Sequence, residues 1–552
     1  MVNETSESMG SESVERSMSS QGLRFSDRRE RDLLKTYLER VNPRYPFIHE
    51  KKLMEWYSSW KDLQGFGDGL PADEKWKSFF VHMAFAVSLL LTAQVSPEER
   101  QLSNNAYSVA ISSLGAVIER PDPVLHVQAY LMCTIHALHS PSSHNVLTTI
   151  ATTMRCCVIS QLHRSQYEPR VQDASGFLQL QIRRRVFWSA YAIDRLISWI
   201  YHVPCSLMDE NIHIELFANM NDNEIEQWQP RTQLQADVVS VPRQTQVSSA
   251  LHLIRVRRIQ SRILAIMMRS DYDTIFAPNY EWRLHMLKEL DQWRNQLQPH
   301  SDPESRGYTS QGWVGMAYNY TVLLLHRPTK ENVRGFVGVK CLQACADILS
   351  VFRQYQKDRQ TAQLWPGLLS QFGIGITLLY CLWATPPSYR TDAYCSSEPL
   401  SAIRTCSVIL AVFAEQWREA EPLRDLFDTL SASIPYHHLG VAGHTKNTLS
   451  AEAASVIHAA WPHITSLVVN VDICRMITEM ATEDYPGDEI NTNDIIASWP
   501  SETHCPQTCY LCRDKILTQN TPLMETFDLP EPGGGPQDDI FAFPDLFGSV
   551  EF

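Results

Sequence analysis

Residues 183–195 read RRRVFWSAYAIDR, and this stretch decides the fold class. Three arginines open it, and apolar side chains then return every third or fourth residue, as on one face of an α-helix. The pattern predicts a buried helix with Phe187 and Trp188 turned inward and with its charges at the two ends. The apolar stripe comprises Ile182, Val186, Phe187, Ala190, Ile193, Leu196, Ile197 and Ile200.

The same helical period returns from about residue 27 to residue 480. Ser26 has the side chain of an N-cap, and Pro43 ends the helix that follows it. No segment alternates with period two and no βαβ rhythm is visible, so the sequence predicts an all-α class. The further predicted helices cover residues 79–91, 103–118, 124–138, 146–162, 251–268, 281–297, 318–326, 339–352, 368–383, 403–417 and 453–480.

Composition limits the classes of protein that this chain can belong to. Its 552 residues are 44% hydrophobic, enough for a large helical domain with several subdomains. The net charge of −14 opposes nonspecific binding of nucleic acid by the chain as a whole. Thirteen cysteines, mostly within apolar runs, predict buried free thiols in a reducing compartment. The apolar runs 79–91 and 373–384 are shorter than the ~20 residues of a membrane span, so we expect an intracellular protein with no membrane contact.

Three regions differ in composition. Residues 1–26 are rich in Ser and Glu and are expected to be disordered, residues 27–480 form the helical domain, and residues 481–552 form an acidic, Phe-rich tail. Within the domain, residues 212–246 are polar and non-periodic and are expected to form a surface loop. The tail resembles a transcriptional activation segment, the alternative being an ordinary disordered tail. Its aromatic residues are Phe527, Phe541, Phe543, Phe547 and Phe552.

Enzyme motifs are missing from the sequence. No P-loop, Gly-x-Ser-x-Gly elbow or His-Glu-x-x-His pair occurs, so we predict no catalytic residue, no cofactor and no enzyme activity. The one cysteine cluster places Cys505, Cys509 and Cys512 at C-x3-C-x2-C spacing beside His504. Incidental thiols are the favoured interpretation, while zinc binding, redox sensing and an iron–sulfur site remain alternatives.

Several segments together resemble a known family. They are YLERVNPRYPFIH at 37–49, RRRVFWSAYAIDRLIS at 183–198, the turn at 202–204, the Asp-x-x-Ile segment at 209–212 and YNYTVLLLHRPTK at 318–330. In this order they resemble the middle homology region of fungal zinc-binuclear-cluster transcription factors. The turn departs from the family's frequent Gly-Arg-Pro, since this chain has His202-Val203-Pro204.

The resemblance implies a fungal transcription regulator, with pathway-specific control of a metabolic or secondary-metabolite gene cluster as its setting. The family's six-cysteine DNA-binding module is expected to be missing, because the first cysteine is Cys133. DNA would then be reached through a DNA-binding partner or through a module on a missing exon. Coactivators are the expected partners of the tail, a small molecule is a candidate effector, and the nucleus, shared or not with the cytoplasm, is the expected location. The main alternative is an effector-binding helical protein with no transcriptional output.

The motif residues have structural interpretations as well as functional ones. Arg183, Arg184 and Arg185 are either a DNA or partner patch or a solvated helix start that needs acidic neighbours. Phe187, Trp188 and Tyr191 are expected in the core. Asp194 and Arg195 are expected to pair with charges on neighbouring helices, a regulatory contact being the alternative. His326 and Arg327 precede Pro328 at a predicted helix end, where positive charge suits the helix dipole.

Overall fold

The computed structural model describes residues 25–63, 74–92, 97–139, 143–230, 244–297, 310–358, 364–433 and 451–483. Within these ranges the chain forms α-helices linked by turns and short 3-10 segments, and it forms no β-strand. The predicted all-α class is therefore confirmed. All of these ranges fall in the first of two compact units, residues 1–496.

The described residues contain nineteen α-helices. In chain order they are α1 (Asp27–Arg40), α2 (Glu50–Leu63), α3 (Lys75–Thr92), α4 (Pro97–Ser112), α5 (Leu114–Ile118), α6 (Pro123–Ala137), α7 (Ser143–Ile159), α8 (Ala174–Tyr201), α9 (Asp222–Glu226), α10 (Ser248–Met267), α11 (Glu281–Leu297), α12 (Gln311–His326), α13 (Phe336–Lys357), α14 (Leu364–Ala384), α15 (Asp392–Cys395), α16 (Glu398–Gln416), α17 (Glu421–Ser433), α18 (Ala451–Leu467) and α19 (Val471–Thr482).

Polar caps and apolar stripes account for many of these helices. Ser26 caps α1 by accepting a hydrogen bond from the Arg29 amide, as predicted, and α1 ends three residues before Pro43. Asp122 caps α6, whose first residue is Pro123. Helix α11 has the predicted bounds. The apolar residues spaced at three and four along it form one buried seam, which comprises Trp282, Met286, Leu290, Trp293 and Leu297.

Several predicted boundaries are wrong. The helix predicted at 103–118 is two helices, α4 and α5, with a break at Ser113. The helix predicted at 453–480 is also two, because Asn470 caps a new helix after the break. Part of the predicted surface loop 212–246 is built into the fold, since Phe217 and Ile225 are buried and α9 lies within it. Helix α17 was not predicted at all.

Two long helices connect the elements of the fold. Helix α8 packs against α6 and α7, which precede it in the chain, against α10, which follows it, and it also contacts α14. Helix α14 packs against α13, α16, α17 and α19. Residues 365–384 of α14 are long and apolar enough to cross a membrane, so the prediction that every apolar run is too short is wrong. That stretch is 89% buried by the surrounding helices, as expected of a central core helix.

The cysteines of the described ranges are free thiols, as predicted. Six are buried, namely Cys133, Cys157, Cys341, Cys345, Cys381 and Cys406. Burial raises the pKa of the Cys133 thiol to about 12, which keeps it protonated and unreactive. These thiols therefore behave as small apolar core residues.

Candidate functional site

The arginine motif, residues 183–195, lies in the middle of α8. Asp173 caps this helix by accepting a hydrogen bond from the Gly176 amide at 2.7 Å, so the helix begins nine residues before the first arginine. The prediction that the motif opens the helix, with its charges at the two ends, is wrong. The period of the apolar stripe marks the buried face, but the start of the helix is set by the capping residue upstream.

Two of the three arginines are tied to the segments on either side of α8. Arg184 binds Glu168 through two parallel hydrogen bonds, from Nε at 2.7 Å and from Nη2 at 2.9 Å. Its Nη1 also donates to a carboxylate oxygen of Glu215 at 2.9 Å. Arg183 donates from Nη2 to the backbone carbonyl of Gln161 at 2.5 Å. These guanidinium groups are engaged within the chain and do not form a solvated patch.

Arg185 is the most deeply placed of the three, with no exposed side-chain surface. Its Nη1 donates to Oδ1 of Asp222 at 2.5 Å. The other oxygen of Asp222 accepts the Glu50 amide at 3.0 Å and lies 3.6 Å from Nε2 of His49. Burial alone would raise the pKa of Asp222, but Arg185 and these other groups hold it below its usual value. The pair joins α8 to the start of α2 and to α9.

The aromatic residues of the motif belong to the core, as predicted. Phe187, Trp188 and Tyr191 are all buried. Trp188 donates from Nε1 to the Glu215 carbonyl at 2.8 Å, and the Tyr191 hydroxyl lies 3.1 Å from both carboxylate oxygens of Asp209. All three rings fill the core, and Trp188 and Tyr191 also anchor the segment after α8 through their polar atoms.

Asp194 and Arg195 form a second buried charge cluster. Arg195 donates to Asp194 at 2.8 Å and to Asp209 at 2.6 Å, and its guanidinium stacks 3.9 Å above the Tyr191 ring. Asp194 also accepts the hydroxyl of Ser206 at 2.5 Å. Burial raises the pKa of Asp194, against the opposing effects of Arg195 and Ser206. The cluster fixes the path of residues 205–209 across α8.

His326 differs from its predicted role at the end of α12. Its ring is buried and lies 3.1 Å from the Tyr280 hydroxyl. Burial, with the nearby cations Arg283 and Lys340, lowers the pKa of His326 to about 3. The ring is therefore neutral at neutral pH, and the predicted charge–dipole interaction at this helix end is not made by His326.

Arg327 and His202 converge on one carboxylate. Arg327 follows α12, His202 follows α8, and both have left-handed backbone conformations, with φ of 42° and 53°. Arg327 donates from Nε to Oδ1 of Asp472 at 2.6 Å, and Nδ1 of His202 lies 2.9 Å from the other oxygen. Burial would raise the pKa of Asp472, but His202 and Arg327 lower it. The carboxylate thus joins the ends of two helices to the start of α19.

A cavity of about 110 Å³ lies at this junction. Residues from the end of α8, the end of α12, the middle of α14 and the link between α18 and α19 form its walls. Pro328 lines it beside Arg327, and most of the other lining side chains are apolar. Such an enclosure suits the binding of a small molecule.

Two predicted sites lie outside the described residues. They are the cluster of His504, Cys505, Cys509 and Cys512, and the tail aromatics Phe527, Phe541, Phe543, Phe547 and Phe552. Over the described part of the chain, no group of three or more His, Cys, Asp or Glu side chains is arranged to hold a metal ion.

Sequence reasoning missed the acidic partners of the motif. Glu215, Asp222 and Asp472 were not predicted as site residues, although the three arginines were expected to need acidic neighbours. Asp209 stands in the segment quoted for the family resemblance, but its pairing with Arg195 has no sequence signal. Partners separated by 14 to 145 positions are set by helix packing.

Comparisons with known proteins assign the domain. Residues 34–295, from α1 to the end of α11, match the fungal specific transcription factor domain. Protein STB5 of Saccharomyces cerevisiae is 25% identical over 370 residues, which cover 64% of this chain and 48% of that protein.

Two further relatives are named as regulators. Pyrimidine pathway regulatory protein 1 of Saccharomyces cerevisiae is 21% identical, over 59% of this chain and 36% of its own length. Transcriptional activator protein acu-15 of Neurospora crassa is 25% identical, over 58% of this chain and 33% of its own length. The matched part of this chain thus spans about half or less of each relative. Residues 34–295 of this chain are therefore similar to the fungal specific transcription factor domain, and these two relatives are named as fungal proteins of transcriptional or pathway regulation.

Proposed function

We propose that this protein is a nuclear, pathway-specific regulator of a metabolic or secondary-metabolite gene cluster. The main support for this proposal is the match of residues 34–295 to the fungal specific transcription factor domain. One relative is named for the pyrimidine pathway and another as a transcriptional activator, which supports control of a metabolic pathway. The acidic, Phe-rich tail would recruit coactivators, because acidic residues keep aromatic side chains available for capture by a partner groove.

The geometry of the arginine motif bears on how DNA is reached. Arg184 and Arg185 are neutralised by carboxylates of this chain, and Arg183 is bound to a backbone carbonyl. Phosphate binding needs cations that are free to displace counterions, which these are not. We therefore assign DNA access to a DNA-binding partner protein or to a zinc-cluster module encoded outside these 552 residues.

The second candidate function is an effector-binding protein without transcriptional output. The cavity beside Arg327 and His202 favours it, since an apolar enclosure with a few converging polar groups is the usual form of a small-molecule site. The two candidates differ in what happens when the chain is placed on DNA.

A tethering assay tests the proposal directly. The whole chain is fused to a heterologous DNA-binding domain in a fungal cell with a reporter gene, and a fluorescent fusion reports its location. A variant with the five tail phenylalanines changed to alanine should lose most of the reporter response. The matched control changes Thr518, Thr521, Thr526 and Ser549 to alanine in the same tail and should retain it.

Reporter activation or repression by the tethered chain would support the regulator. A reporter that does not respond to the tethered, correctly expressed chain would contradict it and favour the effector-binding protein. Equal responses from the phenylalanine and control variants would remove the tail from the mechanism.

A further inference from the structure

The cavity at the end of α8 has an apolar body. Its walls include Ile200 from α8, Leu324 from α12, Ile374 from α14, and Val468 and Met476 from the C-terminal segment. A cavity of about 150 Å³ with such a lining admits benzene, so a space of about 110 Å³ suits a short branched hydrocarbon group.

One end of the cavity carries hydrogen-bond donors with no acceptor. Arg327 uses Nε for Asp472, and its two terminal nitrogens make no hydrogen bond within the described part of the chain. The Nδ1 atom of His202 faces the same carboxylate, which holds the imidazole ring beside the cavity. Both side chains line the cavity and are largely shielded from solvent, with 25% and 8% of their surfaces exposed. Guanidinium donors of this kind make charge-assisted hydrogen bonds with a carboxylate that enters.

The backbone at these two residues is constrained. His202 and Arg327 are two of the three non-glycine residues with positive φ in the described ranges. Both are the C-caps of α8 and α12, where a left-handed residue commonly ends a helix. Asp472 holds both side chains, and Asn470, which caps α19, donates to the Ile200 carbonyl at 3.3 Å. The ends of the two helices and the start of α19 are therefore fixed around the cavity.

We propose that this cavity binds a small organic acid. Its carboxylate would accept hydrogen bonds from the terminal nitrogens of Arg327, and its short branched hydrocarbon group would fill the apolar body. The site joins three parts of the chain: α8 from the matched domain, α12 and α14 beyond it, and the link between α18 and α19.

Occupancy would also affect the C-terminal end of the domain. The bound acid would contact Val468 and the Asp472 region together with α8 and α12, so it stabilises the docking of α18 and α19. The chain continues from α19 into the acidic tail. This regulatory consequence rests on the proposed function, whereas binding of the acid does not.

The binding test compares isovalerate with its neutral amide, isovaleramide, by calorimetry on the purified full-length protein. The two probes share one hydrocarbon group and differ in charge. We expect isovalerate to bind at least about tenfold more tightly, the ratio supplied by one charge-assisted hydrogen bond. Arg327→Asn removes the guanidinium but keeps a residue type that tolerates left-handed backbone, and it should remove this preference.

A pair of glycine variants on α14 locates the site without removing a charge. Gly373 lines the cavity, and a methyl group there would lie 3.4 Å from Ile473, in ordinary contact. Gly367 is on the same helix away from the cavity, and a methyl group there would meet Phe352 at 3.5 Å. Both variants to alanine should fold, because alanine favours helix. Gly373→Ala should weaken isovalerate binding several-fold, and Gly367→Ala should leave it unchanged.

Hydrogen exchange gives the second readout. Isovalerate should slow amide exchange in residues 451–482, and it should do so in the Gly367→Ala control but not in Arg327→Asn. Absence of isovalerate binding at millimolar concentrations, equal binding of acid and amide, or equal effects of the two glycine variants would each overturn the proposal. These outcomes are independent of the reporter assay, so a failed site and a failed regulator can be told apart.

Discussion

Replacement of Arg185 or Asp222 tests whether the arginine motif holds the fold together. Both side chains are buried, and they meet at 2.5 Å. Removing one partner leaves the other as an uncompensated buried charge, which costs about 3–5 kcal/mol. About 400 described residues correspond to an unfolding entropy near 0.8 kcal/mol per kelvin. Arg185→Met and Asp222→Asn should therefore each lower the thermal midpoint by about 4–6 °C.

The double variant is the informative comparison. Arg185→Met with Asp222→Asn removes both charges, and the asparagine oxygen can still accept the Glu50 amide that Asp222 now binds. Since paired removal of buried charges is often close to neutral, the midpoint should return to within about 2 °C of the unmodified protein.

The assay is thermal unfolding followed by circular dichroism in one buffer at neutral pH. Lys35→Met provides the control, because Lys35 and Glu39 form an exposed pair whose loss costs about 0.5 kcal/mol or less. Single variants that match this control, or a double variant whose loss equals the sum of the two single losses, would show that Arg185 and Asp222 do not stabilise the fold as a buried pair.

Three further predictions concern the same core. Arg195→Lys should lower the thermal midpoint by about 2–4 °C, because an ammonium group cannot reproduce the forked contacts that include Asp209; an unchanged midpoint would contradict this. The pKa of His326 is about 6.5 in the unfolded chain and about 3 in the folded one, so the free energy of unfolding should fall as the pH drops below 6.5. In melts between pH 6.5 and 4.5, His326→Phe should reduce the dependence of the thermal midpoint on pH by about 1–2 °C per pH unit. Gly338→Ala should be strongly destabilising in the same melts, because its methyl group would lie 2.2 Å from a backbone carbonyl oxygen. A methyl group at Gly315 meets nothing within 4 Å, so Gly315→Ala should be neutral or slightly stabilising. Similar midpoints for the two variants would show that Gly338 is not closely packed.

The local spacing of apolar residues was sufficient to predict most of the buried helix faces. The seam of α11 and the aromatic face of α8 are buried as the 3.6-residue period predicts. Ser26 was identifiable as a cap because capping is a contact over three residues. The breaks at Ser113 and near Asn470 were missed because apolar residues recur on both sides of each break. The helical spacing of apolar residues therefore gives no sign that one helix ends and another begins.

The candidate site required the tertiary structure. Arg185 and Asp222 are 37 positions apart, and Arg327 and Asp472 are 145 apart. Neither pairing leaves a local pattern, because helix packing brings the partners together. For the same reason His326, which the sequence suggested would be charged, is neutral in its buried position.

The intrachain contacts of Arg184 and Arg185 favour a stabilising role of the arginine motif inside the helical domain over a direct contact with a partner. The most direct test of this role is the tethered reporter assay, performed with Arg185→Met and with Arg185→Met combined with Asp222→Asn. The single variant should lower reporter output, because less folded protein is present, and the double variant should recover it, because the fold is restored without the arginine. A double variant with output as low as that of the single one, in a correctly folded protein, would instead assign Arg185 a direct contact.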